Sequence, residues 1–279
     1  FSNIHQKKFN SIKSKNIYYK KFKTDKNLPY DMVKKIKSSL EIINTKYVML
    51  SDNDDFLNYY GINKCINYLE NNNDFDFVGG DTLFIRKSRI KNKYHLTPGQ
   101  KNSKIYDSKK GKENVINYFS KKKSNTIVWY SIFKKDFLIT VLHNFINTKN
   151  ISVNHFEIFF NIISVFYGKF KYIKCNHYIR LHNASGSLNS KIKKDFKTLI
   201  REEQFKRSLI SMKSLLKDLN FLEKEADELL DSYYIGIENE KKNKGKIIVN
   251  KLVNFIIELL YLYPFSITKL INNINIFKK

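Results

Sequence analysis

Three carboxylates fall within four residues at Asp52-Asn53-Asp54-Asp55, directly after the apolar run Val48-Met49-Leu50. Like charges this close repel one another and make poor core residues. A hard divalent cation held by oxygen donors is the simplest partner for them. An acidic turn, with Asp and Asn as turn formers and helix caps, uses the same residue types. Gly79-Gly80-Asp81 closes a second short apolar run. Paired glycines there permit either close approach of a ligand or a plain bulge. Glu157 opens an apolar helical pattern, and with Asn154 before it the pair also fits a variant of the capping box. Arg180, His182, Ser185 and Gly186 lie together in a polar stretch, a donor set able to receive phosphate.

The elements that must position these residues follow from periodicity. Residues 17–22 read as a strand by aromatic and β-branched content. Residues 31–43 read as a helix, with Met32, Val33, Ile36, Leu40 and Ile43 at helical spacing and Asp31 as cap. Residues 48–50 read as a buried strand. Strand, helix, strand is the unit that builds a parallel sheet, and such sheets gather ligands at the carboxyl ends of their strands. That order places Asp52 to Asp55 at such an end. A helix is expected over 59–70, strands over 75–78 and 82–86 (or one strand continued past a bulge), and a binding loop over 87–112. Helices are expected at 112–119, 135–146 and 154–167, and strands at 126–133 and 169–175. Residues 178–187 read as a polar loop. Residues 191–234 read as a charged helical extension with Leu209, Met212, Leu215, Leu216 and Leu219 periodic. Residues 247–263 form an amphipathic stretch, too polar for a membrane span, suited to packing or to a membrane surface.

The chain of 279 residues is 42% apolar, which excludes wholesale disorder. Its formal net charge is +25. The excess is mostly lysine spread along the whole chain, alongside heavy use of Asn, Ile, Phe and Tyr, a bias that an AT-rich genome imposes on any protein. The charge is therefore read as favouring anionic substrates or anionic membrane surfaces, and nucleic acid is not the expected partner. Cys65 and Cys175 lie far apart in no paired motif, which fits a reducing compartment and excludes a disulfide framework.

The stretch Tyr47-Val48-Met49-Leu50-Ser51-Asp52-Asn53-Asp54-Asp55-Phe56 resembles the Asp-x-Asp strand end of GT-A fold glycosyltransferases. More narrowly, it is similar to bacterial inverting enzymes of the family-2 type with a D-x-D-D motif. Gly79-Gly80-Asp81, Glu157 and the Arg180-x-His182-x-x-Ser185 cluster follow in a compatible order. The resemblance implies an α/β fold: a GT-A-like (Rossmann-like) mixed sheet flanked by helices over residues 1–190, with a helical C-terminal extension over 191–279. It implies a nucleotide-sugar donor, a glycan or lipid-linked acceptor, and Mn²⁺ or Mg²⁺ held by Asp52, Asp54 and His182. Asp52, Asp55, Gly79, Gly80, Asp81 and Arg180 would contact the donor, and Glu157 would be the general base. It also implies a role in polysaccharide synthesis, in the cytoplasm or at the inner face of the membrane.

One departure stands out. The resemblance implies further strands before the motif, and only residues 17–22 precede it. The chain is expected to lack its first strands and, alone, to bind nucleotide poorly. Three rival readings stay open: another metal-dependent nucleotidyl or phosphoryl transferase, a basic nucleic-acid-binding protein, and a non-catalytic or partner-binding protein with a glycosyltransferase-like fold.

Overall fold

Phe77, Val78 and Phe170 begin two β-rich stretches whose pairing forms the centre of the molecule. The structure is a computed structural model that describes residues 22, 28–52, 55–87, 94–98, 106–107, 110–120, 128–148, 151, 155–181 and 203–242. The expected strand at 17–22, save Phe22, and the amphipathic stretch at 247–263 lie outside the described residues.

In chain order the elements are α1 (Leu28–Leu40), β1 (Tyr47–Met49), β2 (Phe56–Leu57), α2 (Tyr59–Asn71), β3 (Phe77–Lys87) and β4 (Tyr94–Pro98). There follow α3 (Gly111–Ser120), β5 (Ile132–Lys134), α4 (Lys135–Asn147), α5 (Phe156–Tyr167), β6 (Phe170–Leu181), α6 (Glu203–Asp218) and α7 (Glu223–Lys242). The strands form one mixed sheet in the order β1-β5-β3-β6-β2, with β4 beside the far half of β3. β5 runs antiparallel to both β1 and β3, and β3 runs parallel to β6. So β1, β3 and β6 share a direction, and the carboxyl ends of β1 and β6 face the same way. An α/β architecture with a mixed sheet is therefore present.

Both faces of the sheet are covered. On one, Phe77 stacks on Phe133 and on Phe137 of α4, with ring centroids 5.2 and 5.4 Å apart. This face holds the main core, which runs without a break into Met212, Leu215, Leu216, Leu219 and Phe221 of the helical extension. On the other, Val78 and Ile132 pack with Cys65 and Leu69 of α2. Alternation along each strand sends neighbouring residues to opposite faces.

The helices depart from expectation mainly at their ends. α1 starts at Leu28, with Pro29 in its first turn, where the missing N–H breaks no helical bond. Within it Val33 and Leu40 are buried, whereas Met32 is exposed. α6 stops in a Schellman turn. Asn220 takes a φ of 65°, and the N–H groups of Phe221 and Asn220 donate to the carbonyls of Leu216 and Lys217. Glu225 then accepts from the N–H of Leu222 at 2.8 Å and starts α7.

The strands needed larger corrections. Of the expected strand at 75–78 only Phe77 and Val78 are strand, and they join 82–86 in one strand, β3, with register shifts on β6 around Asp81. That matches the bulge alternative, so Gly79-Gly80-Asp81 lies inside a strand and not at its end. The expected strand at 126–133 is mostly a turn at Val128–Ser131 leading into the short β5. β6 continues to Leu181, so Tyr178 to Leu181 are strand residues and not loop. Part of the expected loop at 87–112 is β4, paired with β3.

Gly80 marks the tightest point of the sheet. A Cβ there would lie 2.2 Å from the carbonyl oxygen of Cys175 and 2.8 Å from its Sγ. Backbone cannot yield as a side-chain tip can. Gly80→Ala is expected to destabilise the fold by about 2–3 kcal/mol, an overpacking effect, read as a lower urea midpoint. An unchanged midpoint would show that β3 and β6 part more easily than this packing implies.

Candidate active site at the carboxyl ends of β1 and β6

The chain leaves β1 through Leu50 and Ser51 and reaches Asp52 at the end of the sheet. Met49 pairs with Ile132 at the start of β5, so the turn that precedes β5 brings Tyr130 to the same end. β6 passes alongside and delivers Tyr178 and Arg180, two residues apart on one face. Tyr130 is held by its backbone: the buried His177 ring donates Nε2–H to the Tyr130 carbonyl at 2.9 Å. The other ring nitrogen, Nδ1, accepts from the N–H of Gly80 at 3.1 Å. Burial lowers the pKa of His177, which keeps the ring neutral and fits this one-donor, one-acceptor use.

The aromatic rings then carry the charged groups. Tyr130 stacks on Tyr178 with centroids 4.2 Å apart. The Arg180 guanidinium lies over the Tyr130 ring, Cζ 4.8 Å from its centre. The Tyr130 hydroxyl donates to Asp52 Oδ2 at 2.7 Å. The Tyr178 hydroxyl donates to Asp55 Oδ2 at 2.7 Å and accepts from the Asp52 N–H at 3.1 Å. Asp55 also accepts from the N–H of Leu181 at 2.9 Å, and its side chain is 4% exposed. Asp55 thus fastens the acidic loop to β6.

Asp52 is freer. Its side chain is 45% exposed, and its Oδ1 accepts no hydrogen bond among the described residues. Arg180 is also uncommitted. Its Nη2 lies 3.9 Å from Asp52 Oδ2 and its Nε 3.7 Å from Asp55 Oδ2. Both distances exceed hydrogen-bond length. The guanidinium makes no side-chain hydrogen bond among the described residues. Burial works against its charge, but Tyr130, Asp55, Glu157 and Asp52 together raise its pKa.

Glu157 joins the group from α5. Trp129 packs edge-on against Phe156 and Phe160 of that helix at 5.0 and 4.7 Å. That contact sets the first turn of α5 beside Tyr130. The described N-cap is His155, which makes no side-chain cap bond, and Asn154 lies outside the described residues. Glu157 makes no hydrogen bond among the described residues, and its expected capping partner lies outside them. Its side chain reaches solvent, yet its pKa is raised, first by burial and further by Asp52, against the opposing pull of Arg180.

The structure therefore brings Asp52, Asp55, Glu157 and Arg180 together. It does not bring Gly79, Gly80 or Asp81 to them. The close approach those glycines permit is to the chain itself: a Cβ at Gly79 would lie 2.9 Å from Ser131 Oγ. Asp81 accepts from the Tyr172 hydroxyl at 2.9 and 3.0 Å. Asp54 and His182 lie outside the described residues. Among the described residues no three His, Cys, Asp or Glu side chains are grouped to hold a metal. Tyr130, Tyr178 and His177 are the residues the sequence reading missed. Tyr178 alternates with Arg180, a signal visible once β6 is extended to Leu181. Tyr130 was hidden in a run that reads as uniform strand. No protein-family model matches the chain, and no curated protein matches it in sequence.

The two tyrosine hydroxyls are expected to differ in weight. Tyr178→Phe leaves the buried Asp55 short of a partner and should cost about 2 kcal/mol, whereas Tyr130→Phe frees a half-exposed carboxylate and should cost about 1 kcal/mol. Urea unfolding of the two variants checks the ranking, and the reverse order would contradict it.

Proposed function

We propose that this protein is a glycosyltransferase that moves a sugar from a nucleotide-sugar donor to an acceptor hydroxyl. The reading rests on Arg180: a half-buried guanidinium that makes no side-chain hydrogen bond among the described residues, set near Asp52 and Glu157 at the carboxyl end of β6. A planar donor fork held by stacking on Tyr130 suits a diphosphate. The resemblance of the D-x-D-D stretch supports the same reading.

Asp52, Asp55 and Glu157 place three carboxylates around one guanidinium, an excess of negative charge that suits a cation. Asp52 Oδ1, with no hydrogen bond among the described residues and on a half-exposed side chain, is a hard oxygen donor of the type Mg²⁺ and Mn²⁺ take. Asp52 would hold the ion with Asp54, and His182 would add an imidazole. When bound, such an ion neutralises charge on the departing diphosphate. Arg180 binds the diphosphate oxygens from the other side, while Tyr130 keeps its plane fixed. Glu157 takes the proton of the acceptor hydroxyl as that oxygen bonds to the anomeric carbon and the sugar–phosphate bond breaks. Attack from the face opposite the leaving group inverts the anomeric centre. Phe56, Leu57, Tyr59 and Tyr60, all exposed, follow Asp55 directly and suit the apolar faces of a glycan or lipid-linked acceptor.

No described helix is long and apolar enough to cross a membrane. We place the protein in the cytoplasm, with contact to the inner membrane face through its basic surface.

Calorimetry of the intact, full-length protein with a panel of nucleoside diphosphates, with and without Mn²⁺, tests the donor side. Metal-dependent binding of at least one is expected, with Arg180→Ala weakening it about 10–100-fold. No binding to any of them would sink the proposal, and pyrophosphate as the released product would favour nucleotidyl transfer instead.

Glu157→Gln tests the base. Turnover is expected to fall about 10²–10⁴-fold with donor affinity unchanged. The raised pKa means that the folded protein holds the ionised carboxylate less readily than the unfolded chain does, so at pH 7 this carboxylate opposes folding. The thermal midpoint of the variant should then equal or exceed that of the unaltered protein. Near-normal turnover would place the base elsewhere.

A further inference from the structure

The two cysteines of the chain, far apart in sequence, meet in space. Cys65 lies on the buried face of α2 with Gly61 and Leu69, and Cys175 lies half-buried on β6. Their Sγ atoms are 3.7 Å apart. The contact depends on Gly61, one helical turn before Cys65. A Cβ at Gly61 would lie 2.0 Å from the carbonyl oxygen of Asn176. Without it α2 sits directly on β6, and Cys175 Sγ comes within 3.6 Å of the Gly61 carbonyl. Closing the two sulfurs to a bonded distance of about 2 Å needs a shift smaller than a rotamer change supplies.

We propose that Cys65 and Cys175 are a redox modification site that forms a reversible intramolecular disulfide and pins α2 to β6. The inference is independent of the transferase reading. The two thiols are unequal in a way that assigns their roles. Cys175 reaches solvent, whereas Cys65 is fully buried. The contact with Cys65 and the Lys64 ammonium lower the Cys175 pKa against burial. The same contact and burial push the Cys65 thiol up. Cys175 is therefore the sulfur that meets the oxidant and Cys65 the one that resolves it.

With a hydroperoxide as oxidant the steps balance. The Cys175 thiolate attacks a peroxide oxygen; the S–O bond forms, the O–O bond breaks, and the departing oxygen leaves as water after taking up a proton. Cys65 then gives up its proton and attacks the sulfenic sulfur. The S–S bond forms, the S–O bond breaks, and the second oxygen leaves as water (or, from an alkyl hydroperoxide, the first leaves as the alcohol). Two thiols lose two electrons in all, and the peroxide gains them. A dithiol reductant reverses the reaction by exchange.

The test uses the unaltered protein and hydrogen peroxide, followed by intact mass and by counting free thiols after denaturation. The expected result is loss of both thiols together, a mass lower by about 2 Da, a monomeric band without reductant, and recovery of both thiols with dithiothreitol. The oxidised form should also melt several degrees higher, because the bridge closes a long loop. Addition of about 16 or 32 Da with Cys65 still titratable would overturn the proposal. So would covalent dimers as the main product. In Cys65→Ser, Cys175 should stop at a sulfenic acid that dimedone traps, and failure to trap it in folded variant would remove Cys175 from the role of attacking sulfur.

Discussion

A neutral imidazole at His177 is the joint on which the rest of this site hangs. One ring nitrogen holds the backbone of β3 at its bulge, and the other holds the carbonyl of Tyr130. Those are the places where regular strand pairing fails, so their backbone groups need a partner from elsewhere. A buried side chain with one donor and one acceptor meets both needs at once. Fixing the Tyr130 backbone fixes its ring, and that ring carries Arg180 on its face and Asp52 on its hydroxyl.

Two carboxylates three residues apart meet different fates at this joint. Asp55 is buried and bonded through both oxygens, so its charge serves to fasten a loop. Asp52 gives one oxygen to Tyr130 and keeps the other for solvent. Arg180 faces both, yet at distances too long for hydrogen bonds. Among the described residues the guanidinium is oriented by the Tyr130 ring and by attraction, and not by hydrogen bonds. Glu157, without a hydrogen bond among the described residues, has its proton affinity raised first by burial and further by Asp52, against the pull of Arg180.

Helices were the most legible part of the sequence. α2, α3 and α4 fall within a residue or so of their periodic patterns, because an amphipathic face repeats often enough to announce itself. Strands were less legible. The run Val128 to Phe133 is buried and, save Ser131, apolar or aromatic, and burial alone does not distinguish a turn from a strand. β6 mixes Lys171, Lys174, Asn176, His177 and Arg180 with its apolar residues, so its far half lacks the apolar signature of a buried strand. Asp52, Asp55, Glu157 and Arg180 were visible as chemistry. Gly79, Gly80 and Asp81 looked the same on paper but serve the packing of β3 on β6. The meeting of Cys65 with Cys175 had no sequence signal, since it depends on a helix crossing a strand made 110 residues later.

The pairing of β3 with β6 also bears on how the chain reaches this state. Asp76 accepts from the N–H of Lys169, a contact that closes a loop of 93 residues. Parallel pairing over such a span must await loop closure, which is unfavourable until other contacts compensate. The α6–α7 hairpin and its Schellman turn are local and can form early. Since their apolar side chains enter the same core as the sheet, an early hairpin offers the late-forming sheet a surface on which to assemble. The C-terminal helices of this chain thus have a place in the order of folding, as well as in the finished fold.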